Sequence, residues 1–443
     1  MSGARTPTSS SLLLIYGFAA IIAIGAALLA LPMATKPGQS TSPVDAIFTA
    51  TSAVCVTGLI VVDTANHWSL FGQAVILALI QIGGFGFMTT ATMFLLMFGR
   101  RIGLREKLMI GESLGMQRFG GLIRIVGQMA IFTIIIEALG ATGFYYLTSL
   151  GSLEMPIWKS VFHSISAFNN AGFDLFGNFV SLSNYQKDTP MLLMTALLII
   201  LGGISFLVVA DVLKTRGLHR LSLDSKLVLS TTGLLLAAGT VVFLFTESFD
   251  SNMLGPLPLP YKLLNAFFQS VTARTAGFST VNLSETANYA LFFIMLLMFV
   301  DGASGSTAGG IKVNNFSMLI ATVWSTLRGR EHPGAFGREF NAQQIYRALA
   351  VAILSLGLVT IAVFFLSITE KFTFINLLFE TVSAFGTVGL SSGITPSLST
   401  IGQLIIVATM FIGRLGPLTL TLALVQRQKS TAYRYSKETV RIG

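Results

Sequence analysis

The sequence predicts an all-α polytopic membrane protein in which four span–half-helix–span repeats place eight transmembrane helices around a pseudo-fourfold central pore. Three observations lead to this fold class: the composition, a segment that occurs four times, and the distribution of basic residues. Of the 443 residues, 53% are hydrophobic and 11% are charged, whereas soluble proteins carry roughly 25% charged residues. The windows 12–31, 70–98 and 191–209 each hold the roughly 18 or more nearly uncharged residues that a membrane span needs.

The repeated segment is the strongest signal in the chain. Each copy has a Phe ten residues before a Gly, and a Leu or Phe follows that Gly. The copies run from Phe48 to Leu59, Phe162 to Phe173, Phe267 to Phe278 and Phe379 to Leu390. Their glycines, 114, 105 and 112 residues apart, are Gly58, Gly172, Gly277 and Gly389. Self-similarity at a nearly fixed period marks a repeat architecture, so we expect four copies of one unit.

Each copy lies between two long apolar stretches, and its helix-compatible part of about a dozen residues is too short to cross a bilayer. We therefore predict a re-entrant half-helix followed by extended chain. The predicted pairs of spans are 12–31 and 70–98, 125–147 and 191–212, 227–246 and 288–326, and 348–368 and 402–424. The resulting units are repeat 1 (1–99), a cytoplasmic loop (100–124), repeat 2 (125–214), repeat 3 (215–328), repeat 4 (329–426) and a cytoplasmic tail (427–443).

The basic residues give the orientation. The N-terminus, the loops between repeats and the tail together carry 20 of the 28 Lys and Arg residues. Positive residues favour the cytoplasmic side, so both termini are expected inside the cell and all four half-helices enter from outside. The sequence thus predicts a multi-pass protein of the cell membrane, in contact with lipid. The net charge of +9 follows this topology pattern, and we expect no nucleic-acid partner.

The repeated unit has the features of an ion pathway. Non-helical backbone at membrane depth needs a protein or water lining, and the C-terminal end of a half-helix favours a cation. Extended residues after it can direct carbonyl oxygens toward the ion, as in selectivity filters. The alternative is that these glycines only allow close helix packing. The predicted filter residues are Val54, Cys55, Val56, Thr57 and Gly58; Phe168, Asn169, Asn170, Ala171 and Gly172; Ala273, Arg274, Thr275, Ala276 and Gly277; and Phe385, Gly386, Thr387, Val388 and Gly389.

Other kinds of site find little support. The single cysteine, Cys55, excludes a multi-cysteine metal site, and the four histidines lie far apart in sequence. No nucleophile motif or carboxylate pair stands within the spans, so we expect no enzyme and no cofactor. A secondary transporter of a different cation or of a small organic solute remains the alternative function. Such transporters commonly use inverted repeats, whereas all four copies here have the same predicted sidedness.

Three features together resemble the Trk/Ktr/HKT superfamily of potassium transporters, and most closely the bacterial Ktr-type pore-forming subunit. They are the four repeats, the stretch Gly302–Asn314 (GASGSTAGGIKVN) and the run Gly413–Thr419 (GRLGPLT). The resemblance implies that K⁺ is the transported ion and that it binds at the filter carbonyls. It also implies a homodimer and a cytosolic RCK-type nucleotide-binding ring that controls opening; loop 100–124 and the tail are the first regions where such a ring would dock. Coupling to Na⁺ or activation by Na⁺ stays open.

The resemblance also assigns a gate. Glycine-rich segment 301–312 interrupts a predicted span, which implies an intramembrane gating loop below the filter; a kinked helix is the alternative. Arg414 lies inside an apolar span, where a charge is costly and usually functional. It can block the path or contact the carbonyls of the loop, and snorkelling is the alternative. The predicted gate residues are Gly302, Ser304, Gly305, Ser306, Thr307, Gly309, Gly310, Lys312 and Arg414.

The filter segments differ in their side chains. Matched positions hold Cys55, Asn169, Arg274 and Gly386, and each repeat has one glycine where tetrameric potassium channels have a longer signature. We therefore predict fewer ordered ion sites than in those channels, and looser selectivity against sodium or rubidium. The side chain of Arg274 is expected behind the filter, bound to loop carbonyls or to an acid such as Glu380.

Overall fold

The computed structural model describes residues 10–86, 122–149, 156–215, 217–248, 254–307 and 309–416, together with Glu438. Nearly all regular structure in these ranges is helical, as expected for the predicted class. Most of the predicted cytoplasmic loop 100–124 and, apart from Glu438, the tail 427–443 lie outside the described residues.

Repeats 1 and 2 contain eight α-helices within the described ranges. Those of repeat 1 are α1 (Ser10–Leu29), α2 (Pro43–Val54), α3 (Thr64–His67) and α4 (Leu70–Phe85). Those of repeat 2 are α5 (Leu122–Ser149), α6 (Ile157–Phe168), α7 (Thr189–Gly203) and α8 (Phe206–Lys214). The short 3₁₀ helices here are Pro32–Ala34 and Ser183–Tyr185, and a third, Leu218–Arg220, begins repeat 3.

Repeats 3 and 4 follow the same order of elements. The helices of repeat 3 are α9 (Leu223–Glu247), α10 (Leu259–Thr272), α11 (Asn288–Met298) and α12 (Val313–Leu327). Those of repeat 4 are α13 (Ala342–Thr369), α14 (Phe374–Gly386) and α15 (Thr400–Leu415), and 3₁₀ turns lie at Leu283–Glu285 and Thr395–Ser397. Strand β1 (Val300–Asp301) pairs in parallel with β2 (Ile311–Lys312), and β3 (Gly334–Ala335) pairs antiparallel with β4 (Arg338–Glu339).

The half-helices predicted from the repeated segment are α2, α6, α10 and α14, called the pore helices below. Local sequence explains where they begin: Ser42 accepts a hydrogen bond from the Asp45 N–H and Pro43 is the first helical residue of α2. Pro156 and Pro258 precede α6 and α10. The Phe that opens the copy anchors the pore helix in three repeats, where Phe48, Phe162 and Phe379 are fully buried, whereas Phe267 of repeat 3 is partly buried.

Two predicted spans are not continuous helices. The span predicted at 191–212 is α7 followed by α8, which bend by 94° after Gly203. The span predicted at 288–326 ends as a helix at Met298 and resumes at Val313 after the β1–β2 pair. Glycines explain both breaks: the pair at 202–203 lies at the first and four glycines lie between 302 and 310 at the second, and each glycine weakens a helix by about 1 kcal/mol relative to alanine.

The remaining two second stretches also end early as helices. Helix α4 ends at Phe85 and α15 ends at Leu415, and each is followed by a glycine with positive φ, Gly86 at 76° and Gly416 at 84°. Glycine in this position is a frequent helix terminator because it adopts the left-handed region without strain. The rest of the predicted spans 70–98 and 402–424 lies outside the described residues.

Membrane-protein character is evident in the long helices. In the described ranges, three helices are long and apolar enough to cross a bilayer by themselves, Ile123–Leu147, Leu223–Glu247 and Ala342–Thr369. All three are first spans of their repeats. The bent pair α7–α8 passes the same test as one unit. Large apolar side chains such as Leu139, Phe245 and Phe364 are more than half exposed on these helices, as expected for surfaces that face lipid.

Packing between repeats closes into a ring. The second span of each repeat packs on the pore helix of the next: α4 on α6, α7 on α10, and α11 on α14. Helix α15 of repeat 4 then packs on α2 of repeat 1, which completes the cycle. The C-terminal ends of the four pore helices are therefore gathered around one centre.

Candidate functional site

The four repeat glycines meet at this centre and form a closed ring. A methyl group added to Gly58 would lie 2.9 Å from the Gly172 Cα, and one on Gly172 would lie 3.2 Å from the Gly277 Cα. The ring continues with 3.1 Å from Gly277 to the Gly389 Cα and closes with 3.0 Å from Gly389 to the Gly58 Cα. Residues more than 100 positions apart in the sequence thus become immediate neighbours.

Equivalent carbonyl oxygens lie at the glycine ring. The methyl position on Gly58 would be 2.5 Å from the Ala171 oxygen, that on Gly172 2.9 Å from the Ala276 oxygen, and that on Gly277 2.6 Å from the Val388 oxygen. The position on Gly389 clashes with the Thr57 oxygen. Each repeat therefore supplies one carbonyl next to the glycine of its neighbour, an arrangement that can replace part of the hydration shell of a cation.

The backbone before each glycine is unusual. All four glycines have positive φ, between 71° and 91°. Two residues earlier, Val56, Asn170, Thr275 and Thr387 also have positive φ, at 56°, 57°, 82° and 50°. Three of these residues are β-branched, for which this region is a genuine outlier and costs about 1–3 kcal/mol. The same positive-φ conformation at four equivalent positions, strained in three of them, indicates that the ring geometry is imposed by the surrounding structure.

Hydrogen bonds from behind hold the segments in place. The N–H before each glycine donates to a pore-helix carbonyl: Thr57 to Ser52 (2.8 Å), Ala171 to Ser166 (2.8 Å) and Val388 to Ser383 (2.9 Å). In repeat 3, where Val271 replaces the serine, the N–H of Ala276 donates to the Thr272 oxygen at 3.0 Å. With the N–H groups bound behind the segments, the carbonyl oxygens beside the glycines are left for the centre.

The serine hydroxyls add a second set of contacts. Ser52 and Ser383 accept from the N–H groups of Gly58 (3.0 Å) and Gly389 (3.1 Å). The hydroxyl of Ser166 donates to the Phe173 oxygen at 2.6 Å, and the Thr272 hydroxyl donates to the Phe278 oxygen at 2.6 Å. These contacts give a physical role to the small polar residues that the repeat carries before its glycine.

The carbonyl groups at the start of the predicted filter segments have a different environment. The carbonyls of Val54, Phe168 and Phe385 press against Gly83, Gly202 and Gly413 of the second spans, where any larger residue would clash. These carbonyls therefore contact neighbouring helices, whereas the sequence predicts that they line the pathway. Their side chains, like those of Cys55 and Ala273, are buried.

Arg274 lies behind the filter segment, as expected, but Glu380 is not its partner. The Arg274 Nη2 is 3.4 Å from the Asp301 carbonyl oxygen and 3.4 Å from the Thr232 hydroxyl. Glu380 instead accepts hydrogen bonds from Ser391 (2.6 Å), the Ser392 N–H (2.9 Å) and Thr395 (2.8 Å). Arg274 and Glu380 have different partners because they point to different places. Arg274 reaches toward the broken span of repeat 3, while Glu380 holds the chain that follows the repeat 4 glycine.

The segment 301–312 forms a loop closed at its base by the β1–β2 pair. Its Ala303 N–H donates to the Gly203 oxygen at 3.0 Å, and the Thr307 hydroxyl donates to the Gly202 oxygen at 3.2 Å. A side chain on Gly309 would clash with Thr387, and one on Gly310 would lie 3.2 Å from the Gly386 Cα. The loop thus touches the residues that precede the glycine of repeat 4 and fills the break between α7 and α8.

Arg414 of repeat 4 joins this loop to repeat 1. Its Nη1 donates to the Thr307 carbonyl and its Nη2 donates to the Gly83 carbonyl. One guanidinium of repeat 4 therefore binds the loop of repeat 3 and the end of α4 in repeat 1. The contact with the Thr307 carbonyl is one of the two roles predicted for Arg414. The Lys312 Nζ donates to the Gly309 oxygen at 2.7 Å inside the loop.

On the opposite side of the ring lies a cavity of about 560 Å³, called the mouth cavity below. It is lined by the four glycines and by residues that follow them, including Asp63, Asp174 and Asn178. Both oxygens of Asp63 accept backbone N–H groups, from Asn66 at 2.7 Å and from Phe179 at 2.9 Å. Burial raises the pKa of the Asp174 carboxyl to about 6, and Asp63 adds to this rise, although the Phe176 N–H, Ser181 and Lys159 oppose it.

Comparison with known proteins agrees with this architecture. Residues 14–434 match the TrkH family, described as a cation transport protein. The fold of this chain resembles the crystal structure of the potassium transporter TrkH from Vibrio parahaemolyticus. The TM-score is 0.74 and the identity 18%, and the match covers 96% of this chain and 86% of that one. At this identity the likeness concerns the fold.

Closer relatives occur among bacterial proteins. The chain is 42% identical to Ktr system potassium uptake protein B of Bacillus subtilis, over 94% of this chain and 92% of that protein. It is 40% identical to the protein of the same name in Vibrio alginolyticus, over 97% and 94% of the two chains. It is 38% identical to the potassium/sodium uptake protein NtpJ of Enterococcus hirae, over 96% of each. The chain therefore belongs to the TrkH family of cation transport proteins.

Proposed function

We propose that this chain is the pore-forming subunit of a potassium uptake system of the cell membrane, with eight transmembrane helices around one pathway. The observation that carries the proposal is the closed glycine ring with one equivalent carbonyl from each repeat. Such a ring suits a dehydrated monovalent cation, because oxygen dipoles at fixed positions replace its water. The Bacillus and Vibrio relatives, both named as potassium uptake proteins, support K⁺ as the ion.

A filter of this kind is expected to be moderately selective. Its four segments share their backbone conformation, but the ring offers one layer of four equivalent carbonyls. The carbonyls of Val54, Phe168 and Phe385 are engaged with the second spans. Fewer ordered ion sites follow, and Na⁺ is then a second candidate for passage, coupling or activation. The potassium/sodium uptake relative favours this second cation.

Two elements beneath the ring are proposed as the gate. The loop 302–310 lies against Thr387 and Gly386, directly below the repeat 4 segment. Arg414 holds this loop through Thr307 and adds a positive charge that opposes cations. Withdrawal of the loop, with release of Arg414, would open the pathway.

The proposed assembly contains two copies of the chain and a cytosolic RCK-type nucleotide-binding ring. The Ktr system relatives support a regulatory partner in general terms. The basic loop 100–124 and the tail from residue 427 are proposed as its docking regions, with both termini in the cytoplasm. On the described part of the same side, Asp211 accepts from the Ser222 N–H (3.0 Å) and the Ser225 hydroxyl (2.6 Å), which ties α8 to α9.

Flux measurements test the proposal. The purified protein in liposomes is expected to take up rubidium-86 in exchange for internal K⁺ and to restore growth at low potassium in a host that lacks potassium uptake. Transport of an organic solute is disfavoured because neighbouring glycines of the ring lie in near contact. Absence of cation flux in liposomes together with absence of growth would refute the proposed function.

A further inference from the structure

A buried carboxyl group lies directly behind the filter segment of repeat 2. Glu137 stands near the middle of α5 and is only 7% exposed. Its Oε1 accepts a hydrogen bond of 2.9 Å from Asn169, the residue three before the ring glycine Gly172. Its Oε2 accepts one of 3.2 Å from Gln81 of repeat 1. An ionisable residue at this depth is costly and by default functional.

The neighbours of Glu137 suit a negative charge. Both carboxyl oxygens accept amide N–H groups, and Asn169 also donates to the Gln81 oxygen at 3.1 Å. The side chain of Asn169 fits against Gly84 of α4, where a larger residue would clash. Among the described residues, no Lys or Arg lies within ion-pair distance of Glu137. The carboxyl therefore has hydrogen bonds but no fixed counter-charge.

The other repeats show that packing does not require an acid here. Gly25, Gly140 and Gly239 occupy equivalent places in α1, α5 and α9, since a methyl group on each would meet a leucine of the second span at 2.7–2.9 Å. These leucines are Leu79, Leu198 and Leu297. The residues three positions before the glycines are Ile22, Glu137 and Leu236. An apolar residue fills the position in repeats 1 and 3, so the acid of repeat 2 has another role.

We propose that Glu137 is the fixed counter-charge of the permeant cation, stabilising the ion in the filter through Asn169 and the repeat 2 segment. This inference rests on the proposed function. A buried carboxylate without a basic partner is stabilised when a cation occupies the adjacent filter, and the cation is stabilised equally in return. Glu137 does not touch the ion, so it is a positioning and electrostatic residue of the pathway.

Variants of Glu137 in liposomes test this role. The measurements use the Asp174→Asn background, so that the carboxyl of the mouth cavity does not titrate in the same range. Glu137→Gln, which keeps the size and polarity, is expected to lower potassium flux at neutral pH on the order of tenfold, or about 1.4 kcal/mol. It should also remove the decline of flux in acid that the Asp174→Asn protein still shows. Glu137→Asp should retain part of both properties, because it restores the charge.

Two controls separate this role from a structural one. Glu137→Leu introduces the residue of repeat 3 and should fold but conduct no better than Glu137→Gln. Glu247→Gln removes another buried carboxyl, at the end of α9, and should leave the acid dependence unchanged. If Glu137→Gln and Glu137→Leu conduct like their parent with the same pH profile, the inference is wrong.

A measurement on the parent protein, the Asp174→Asn chain with Glu137 intact, covers the case in which the Glu137 variants do not fold. Because binding of the cation and the charge of Glu137 favour each other, higher potassium must shift the midpoint of acid inhibition to lower pH. A midpoint that does not move with potassium overturns the inference while leaving the proposed function intact. Absence of potassium flux in the parent would instead remove the proposed function, and this inference with it.

Discussion

The glycine ring and the layer directly beneath it are built from the same four repeats in different ways. In the ring, every repeat supplies a glycine with positive φ, a strained residue two positions earlier, and one carbonyl. In the layer beneath, the second spans diverge. Helix α4 ends at Phe85, α7 bends by 94° after Gly203, α11 gives way to a loop at Met298, and α15 carries Arg414.

The difference follows from what each layer has to do. A ring of backbone oxygens around one ion works best when its four members are equivalent, and side chains contribute little to it. Control of the pathway needs an element that can take two positions, and such an element has to differ from its neighbours. The loop 302–310 and Arg414 are the proposed gate because both bind carbonyls that belong to other repeats.

The ring is expected to be the most sensitive part of the molecule. Gly389→Ala places a methyl group against the Thr57 carbonyl and 3.0 Å from the Gly58 Cα, at a φ of 90° that alanine rarely adopts. Cation flux in liposomes should fall by about a hundredfold or more, since backbone atoms of the neighbouring repeat cannot move aside cheaply. Gly233→Ala in α9 is the matched control, because nothing lies within 4 Å of its added methyl group. Equal flux in the two variants would mean that ring geometry does not limit transport.

The layer beneath is expected to respond in the opposite direction. Arg414→Ala removes both hydrogen bonds that hold the loop, to Thr307 and to Gly83, together with a positive charge near the pathway. Shortening of the loop 302–310 removes the proposed obstruction itself. Both changes should raise cation flux about five- to tenfold, measured as rubidium-86 uptake. Arg328→Ala, which removes a cation stacked 4.7 Å from the Trp324 ring centre, is the control and should leave flux unchanged; a fall in flux on loss of Arg414 would contradict the gate.

The comparison also explains how much the sequence reveals. The pore helices and the meeting of the four glycines follow from spacing alone, because a repeated glycine after a short apolar helix has few structural uses. The strain at Val56, Thr275 and Thr387 could not be predicted, since β-branched residues normally avoid positive φ. The break after Gly203 could not be predicted, because the residues 191–212 are apolar along nearly their whole length and hydropathy does not respond to a bend.

Long-range partners were equally inaccessible from sequence. Arg274 finds the carbonyl of Asp301 only because the span of repeat 3 breaks beside it. Glu137 lies in a first span, outside the repeated segment, so the repeat itself carries no signal for it. The structure supplies the missing alignment, because the leucine contacts of Gly25, Gly140 and Gly239 match this acid with Ile22 and Leu236 of the other two spans.

The mouth cavity should show the smallest effect. The Asp174 carboxyl, with its pKa raised to about 6 by burial, is charged at neutral pH and becomes neutral as the pH falls through that value. The mouth then loses a negative charge that attracts cations, and this loss alone should lower flux about two- to threefold between pH 7 and pH 5. Asp174→Asn should show the lower flux already at pH 7, and the decline should shrink by the part due to this carboxyl.

This last effect depends on ionic strength in a way that the ring does not. A charge at the mouth acts on ions still in water, so added impermeant salt should screen it, whereas the methyl group of Gly389→Ala blocks the path at any salt concentration. Glu285→Gln, which changes an exposed acid outside the cavity lining, is the control and should keep the full acid dependence. If Asp174→Asn retains that dependence as well, the mouth carboxyl does not concentrate cations, and control of the pathway is confined to the filter and the layer beneath it.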